Sequence, residues 1–355
     1  GERVMSIQKS LRLSLVLMAC LPLIFLTIFT YNLSYKKYMD LATQSTVELA
    51  KNYGMGFQSQ LNSQIAEVEG LANGTNIQNL VLENYNGVTL GNDSPYYTNV
   101  TDLFATASDY AGNNVNYYLY DVNGYYITSS DNTNTDDWQE HMAIPVEDIT
   151  ETKILQCSPL DEIESIDVVS PIIIKSQIVG LIRANITSRY FGSFIPEDGS
   201  AFIMTNDGGY LFTSTGLTGQ RELETQAFNC LNGADNAKDY GHLKASSFKN
   251  IYGFCKLSDS NWLYLIKQQG TQYQQILATL PITMSITLII ILMIAIWVSR
   301  ILSAKYTEPI FTLRDNMTDA SSGNLDVKCD VASDDEFGDL SRMFNSMMDI
   351  ISNNY

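Results

Sequence analysis

The sequence predicts an α+β protein. Two membrane helices flank a folded region built as a long helix followed by two antiparallel sheets in tandem, and short coiled-coil helices end the chain. Three observations predict this: two uncharged apolar runs, a strand–turn–strand pattern that recurs along the chain, and two apolar stripes of heptad spacing near the C terminus. The 355 residues are enough for two or three domains. Only 17% are charged, against about 25% in soluble domains, so part of the chain belongs in lipid. A formal charge of −18 argues against a nucleic-acid binder, because phosphates would be repelled.

The apolar runs are Leu13–Tyr31 and Ile276–Val298. Neither holds a charge, and each has the roughly 20 apolar residues that cross a bilayer. Each carries one proline, Pro22 and Pro281, which membrane helices tolerate. The first run is longer than a signal-peptide core, and no small-x-small site follows it before Tyr35-Lys36-Lys37, so a retained anchor is expected. Arg3, Lys9 and Arg12 precede the first run, and Arg300, Lys305 and Arg314 follow the second. They place residues 1–12 and 299–355 in the cytoplasm, although Lys36 and Lys37 weaken the asymmetry. Residues 32–275 hold 13 Lys/Arg against 28 Asp/Glu, a net of −15, which suits an outer domain.

Beyond the first run, Tyr53, Phe57, Leu61, Ile65, Val68 and Leu71 recur at helical spacing. An amphipathic helix over 32–71 therefore continues the membrane helix outward for about 60 Å. Short β-like runs follow. Val115–Tyr120 leads through Asp121-Val-Asn-Gly124 into Tyr125–Ser129, and Ala201–Thr205 leads through Asn206-Asp-Gly-Gly209 into Tyr210–Ser214. Both are hairpins with Asx-initiated, Gly-terminated turns. They align without a gap at a spacing of 85 residues, which suggests two related α/β subdomains. Ser165–Ile174 and Ile178–Ile186 form a further hairpin through Lys175-Ser-Gln177, and Asn250–Cys255 and Trp262–Ile266 another through Ser258–Asn261.

After the second apolar run, Pro309 is followed by Ile310, Leu313, Met317 and Ala320; later come Phe337, Leu340, Phe344, Met347 and Ile351. Spacings of three and four make each set a narrow coiled-coil seam. Two-heptad helices are unstable alone, but two from each of two chains bury both seams in a parallel four-helix bundle. The competing reading is an amphipathic tail lying on the membrane. Regular spacing, the acidic Asp334-Asp-Glu336 start and few basic residues count against it.

Pro309-Ile310, Gly323-Asn324-Leu325, Asp335-Glu336-Phe337-Gly338 and Phe344-Asn345-x-Met347 resemble the signature of a HAMP domain over about 305–353. Residues 32–275 resemble, in architecture, a double Cache sensor domain with PAS-like distal (about 75–186) and proximal (about 187–270) modules. Together the layout is similar to that of bacterial transmembrane receptors: sensor histidine kinases, chemoreceptors and membrane diguanylate cyclases. The resemblance implies a homodimeric, multi-pass protein of the bacterial plasma membrane that binds a small molecule in the distal module. A HAMP relay through Pro309, Ile310, Leu313, Met317, Glu336, Phe337, Leu340, Phe344 and Met347 would drive an output domain missing from this chain. A two-component sensor histidine kinase is the first expectation; a diguanylate cyclase and a methyl-accepting chemoreceptor are the alternatives. The chain begins at Gly1, with Met5 a plausible natural start, and stops where an output domain would begin, so a fragment is expected.

No catalytic site or cofactor is expected. No histidine follows His242, and no phosphate loop or Gly-Gly-Asp/Glu run follows the second span. His141 and His242 read as surface residues. Amino-acid-binding Cache domains hold the ligand carboxylate with an Arg just ahead of a Trp; here Asp136 stands two positions before Trp138, with Asp137 between. An acidic pair there favours an amine. Tyr118, Tyr120 and Tyr126 would add an aromatic wall suited to a cationic or amino-acid-like ligand, the plainer alternative being tyrosines that pack a sheet. Asp131–Asp136 lacks the register, central Gly and distant Glu of a calcium loop, so no metal is expected. Of the outward Cys157, Cys230 and Cys255, at most one pair can form; Cys230 with Cys255 stays open. Two other classes remain: a membrane-tethered outer enzyme, which needs a carboxylate pair or metal cluster, and a structural envelope protein, which has no use for coupling heptads.

Overall fold

The structure is a computed structural model that describes residues 7–87, 94–131, 144–156, 165–195, 200–212, 220–232, 239–243, 250–324, 326–330 and 335–354. Only the backbone is described at 7–13, 15, 16, 19, 303–307, 353 and 354. The chain divides into two units, Met39–Tyr273 and Gly1–Tyr38 with Gln274–Tyr355.

In the first unit, helix α1 (Ile7–Ala72) supplies its later turns. The periodic residues form one face: Phe57, Leu61 and Val68 are buried, with Tyr53, Ile65 and Leu71 packed beside them. Two further helices follow where only strands are expected, α2 (Thr75–Tyr85) and α3 (Pro95–Tyr110). Their apolar signal is thin: Ile77, Leu80 and Val81 in α2, and Val100 and Phe104 among threonines and tyrosines in α3. Capping identifies α3 instead. Ser94 Oγ accepts from the Tyr97 amide at 3.4 Å, with Pro95 in the first turn.

The first sheet contains β1 (Val115–Asp121), β2 (Tyr126–Ser129), β3 (Lys153–Gln156), β4 (Ser165–Ile174) and β5 (Gln177–Thr187). The second contains β6 (Ala201–Met204), β7 (Tyr210–Leu211), β8 (Tyr240–Leu243), β9 (Ile251–Leu257) and β10 (Trp262–Gln268), with α4 (Arg221–Asn232) between β7 and β8. All pairs are antiparallel, with orders β2-β1-β5-β4-β3 and β7-β6-β10-β9-β8. The same order twice makes the two sheets one architecture repeated.

The repeat spacing needs a correction. The Gly124 amide donates to Asp121 O and the Gly208 amide to Thr205 O, and each of these glycines has a positive φ. Tyr120 pairs with Tyr126 and Met204 with Tyr210. These equivalences are 84 residues apart, one fewer than the gapless alignment. The single residue matters because side chains alternate faces: Tyr120 corresponds to Met204, not to Thr205.

Both sheets lay one face on the core that contains α1. Gly253 of β9 lets the helix come especially close, since a Cβ there would stand 2.5 Å from the Thr46 carbonyl oxygen.

In the second unit, the run Leu13–Tyr31 is helical throughout as part of α1, and Met18, Leu21, Phe25 and Ile28 are exposed. Helix α5 (Thr271–Ser321) runs unbroken through Pro281 and Pro309. Among the described residues, Thr271–Leu302 is the one stretch long and apolar enough to cross a membrane. Helix α6 (Glu336–Asn354) starts at Asp335, whose Oδ1 accepts from the Phe337 and Gly338 amides at 3.1 and 3.3 Å. Leu313, Cys329, Phe344 and Met348 form a small core between α5, the connector and α6. Asn345 clamps the connector: its Oδ1 accepts from the Cys329 amide at 2.7 Å and its Nδ2 donates to the Cys329 carbonyl at 2.8 Å.

Candidate ligand site on the first sheet

The site is built by strand alternation. Tyr117 and Leu119 of β1 face the α1 core, so Tyr118 and Tyr120 face away from it. On β5 the outer positions are Leu181, Arg183 and Asn185, and on β4 they include Asp167 and Val169. Two irregularities set this register. The β4–β5 turn, Lys175-Ser176, has φ of 50° and 65°, the mirror-image turn that matches strand twist. A bulge between Ile172 and Ile173 then slips the pairing, so that Asp167 stands opposite Asn185 and Val169 opposite Arg183. Gly180 permits the close approach of β1, since a Cβ there would lie 2.5 Å from the Tyr120 carbonyl oxygen.

The outer face holds a connected polar network. Arg183 Nε lies 2.9 Å from Asp167 Oδ2, an ion pair by distance though off the line of a hydrogen bond. Asp167 is fully buried and Arg183 is 8% exposed, so each charge depends on its partners. Asn185 Nδ2 donates to Asp167 Oδ1 at 2.8 Å and to Ser165 Oγ at 3.1 Å. Arg183 Nη1 donates to Tyr120 Oη at 3.3 Å, and its guanidinium stands 5.1 Å from the Tyr118 ring centre. Toward β2, Tyr118 Oη donates to Asp131 Oδ2 at 3.4 Å and Ser129 Oγ to Asp131 Oδ1 at 2.7 Å. Tyr126 Oη and Ser129 Oγ share a hydrogen bond of 2.8 Å. Val146 and Ile149 pack against the apolar parts of this face.

The equivalent face of the second sheet is built differently. There the outer side carries Phe202, Met204, Tyr252, Phe254, Leu263 and Leu265, with Tyr210 beside them and Ala227 and Leu231 of α4 packed against them, and Gln220 Nε2 donates to Tyr252 Oη at 3.0 Å. Both copies carry tyrosine hydroxyls on this face; among the described residues only the first also buries charge there, at Arg183 and Asp167.

The three expected tyrosines share the first sheet's outer face, Tyr120 fully buried and Tyr118 9% exposed. Asp136 and Trp138 lie outside the described residues, as do His141, Cys157 and the rest of the Asp131–Asp136 stretch. Arg183, Asp167 and Asn185 are additions that sequence reasoning missed. The available signal was a lone arginine inside the apolar strand Ile178–Ile186 and an aspartate inside Ile166-Asp-Val-Val169. His242 is exposed on β8. Among the described residues no group of three or more His, Cys, Asp or Glu could hold a metal. Cys255 packs in the α1 core and Cys230 against the opposite face of the second sheet, so the two do not meet. Burial pushes the Cys255 thiol up to about 11, with Asp239 adding and Lys51 opposing.

A second polar group lies between α1 and the first sheet. Gln64 Nε2 donates to Tyr117 Oη at 2.7 Å, and burial first, then Glu67, raises the Tyr117 hydroxyl well above its usual range. In the other unit, Leu313 and Phe344 are buried. Ile310, Met317, Leu340 and Met347 are 46–48% exposed, Pro309 and Phe337 are half-buried, and Glu336 is exposed in the first turn of α6.

No protein-family model matches the sequence, and no curated protein matches it. Solved structures do. The extracellular domain of soHK1S-Z6, described as a histidine kinase, is 10% identical and covers 68% of this chain and 98% of its own, with a TM-score of 0.49. The ligand-binding domain of the Pseudomonas aeruginosa amino-acid chemoreceptor PctC, in complex with GABA, is 16% identical, covers 64% and 99%, and has a TM-score of 0.44. The sensor domain of the V. cholerae histidine kinase DctB is 10% identical, covers 66% and 98%, and has a TM-score of 0.45.

Proposed function

We propose that this chain is the sensing and relay part of a dimeric bacterial transmembrane receptor. Its first sheet binds a small amine or amino-acid-like molecule. The contrast between the two sheets carries the reading: among the described residues one face buries Arg183 and Asp167 beside Asn185, whereas Leu265 and Tyr252 stand at the Arg183 and Asp167 positions of the other. Buried charge costs stability, and among the described residues only the first copy holds it, which argues for a task there. Asp131, flanked by the Tyr118 and Ser129 hydroxyls, is the carboxylate we assign to a ligand ammonium.

The remaining assignments follow from the helices. α1 and α5 carry the folded unit's ends without a break into the apolar runs, supporting two spans with Met39–Tyr273 outside. The exposed Ile310, Met317, Leu340 and Met347 suit a partner copy in a HAMP-type bundle, with Leu313 and Phe344 as the inner layer. A ligand shifts such a bundle only by binding its two packings unequally. We assign the output to a histidine kinase, with a cyclase or chemoreceptor as alternatives.

The test is a thermal-shift screen of residues 32–275 with amines and amino acids. A true ligand at about 100 times its Kd stabilises by about 2.7 kcal/mol, and Asp131→Asn should abolish that shift. Hits confined to carboxylates without a positive charge would overturn the amine assignment. Leu313→Asp should disrupt signalling while ligand binding stays intact, and wild-type signalling in that variant would count against the relay.

A further inference from the structure

We propose that the segment Ser188–Ile195, which joins the two sheets, couples the Arg183 face to the packing of α1. Strand β5 carries Arg183 and Asn185 and ends at Thr187, whose amide and Oγ1 both donate to the Asn114 carbonyl, at 3.0 and 3.2 Å. A helical turn, Ser188–Phe191, follows at once. Its Phe191 is fully buried with its ring centre 4.5 Å from that of Phe57 on α1, and Gln60 of α1 donates to the Tyr190 carbonyl at 3.0 Å. Phe194 covers Gly56, where a Cβ would come within 2.8 Å of three ring atoms. The same segment is tied to the second sheet: the Tyr264 hydroxyl donates to the Phe194 carbonyl, and the Phe191 ring centre is 5.6 Å from that of Phe212.

One turn of α1, the end of the site strand and a strand of the second sheet therefore meet on one short stretch. Close-packed rings do not deform smoothly; they move from one packing to another. A change in how Arg183 is held alters the end of β5 and carries Phe191 and Phe194 with it. α1 takes up the movement at Gly56, where no side chain cushions the contact. The coupling deepens the receptor reading and rests on it for its purpose, whereas its test needs no ligand.

Hydrogen exchange on the full chain in lipid nanodiscs reads the coupling. The double substitution Asp167→Asn with Arg183→Gln removes both charges without stranding either. It should change exchange of α1 amides 56–61 about 10-fold, and the change should vanish when Phe194→Ala is added. Tyr120→Phe, which removes only the hydroxyl that accepts from Arg183, should give a smaller change in the same amides and keeps the test open if the double variant fails to fold. Changes confined to the first sheet, or an α1 response that persists with Phe194→Ala, would overturn the coupler. A failed ligand screen with the α1 response intact would sink the receptor reading and leave the coupler standing.

Discussion

Removing one member of the Arg183–Asp167 pair should cost far more than removing both. Asp167 is fully buried, and after Arg183→Met its carboxylate would keep the Asn185 amide but no cation. Breaking a buried pair costs about 3–5 kcal/mol. The charges meet off the hydrogen-bond line, so the lower end, about 3 kcal/mol, is expected. For a unit of this size that is a fall in Tm of about 6–12 °C. Asp167→Leu with Arg183→Met removes both charges and should return to within about 1 kcal/mol of the wild type. Thermal unfolding of the Met39–Tyr273 unit, followed by circular dichroism, measures all four corners of the cycle. Single substitutions that each cost less than about 1 kcal/mol, as an exposed pair would, would refute the buried-network account. So would a double variant as unstable as the sum of the singles.

Alkaline pH should weaken the fold through Cys255. An unfolded thiol ionises near about 8.5, while burial holds this one up to about 11. The contribution is therefore complete below the unfolded value and is lost as pH rises through about 11. Cys255→Ala should flatten that part of a stability–pH curve, and an unchanged slope would refute the assignment. Gly253→Ala should destabilise by about 1–3 kcal/mol, because its Cβ meets the Thr46 carbonyl oxygen, a backbone atom that cannot swing aside. Gly70→Ala, with nothing within 4 Å, should stabilise α1 by about 0.5–1 kcal/mol; chemical denaturation compares the two. Asn345→Ala should release the connector at Cys329, losing two hydrogen bonds worth about 1 kcal/mol each. Faster amide exchange at Lys328–Asp330 would show it.

Much of the architecture is legible in local chemistry. The face of α1 is written in Phe57, Leu61 and Val68 at helical spacing, and the paired strands of the second sheet in Ile251–Leu257 and Trp262–Gln268. α2, α3 and α4 were not legible, since each buries only two or three side chains and exposes others such as Tyr85, Leu103, Tyr110 and Phe228, which blurs the apolar stripe. Of the site, the tyrosines were visible by type; the ionic partners were not, because their meaning depends on which strand face they reach.

Sequence alone therefore determined the apolar runs, the long helix, the repeated hairpins and the heptad stripes, all of which depend on neighbours within a few turns or residues. Tertiary structure decided which groups meet. Continuing the Lys175-Ser176 turn without the bulge would pair Asp167 with Ala184 and leave Arg183 on the other face; the slip at Ile172/Ile173 brings the two charges together. A strand changes faces with every residue, so one inserted position, invisible in composition and periodicity, is enough to create or abolish the site.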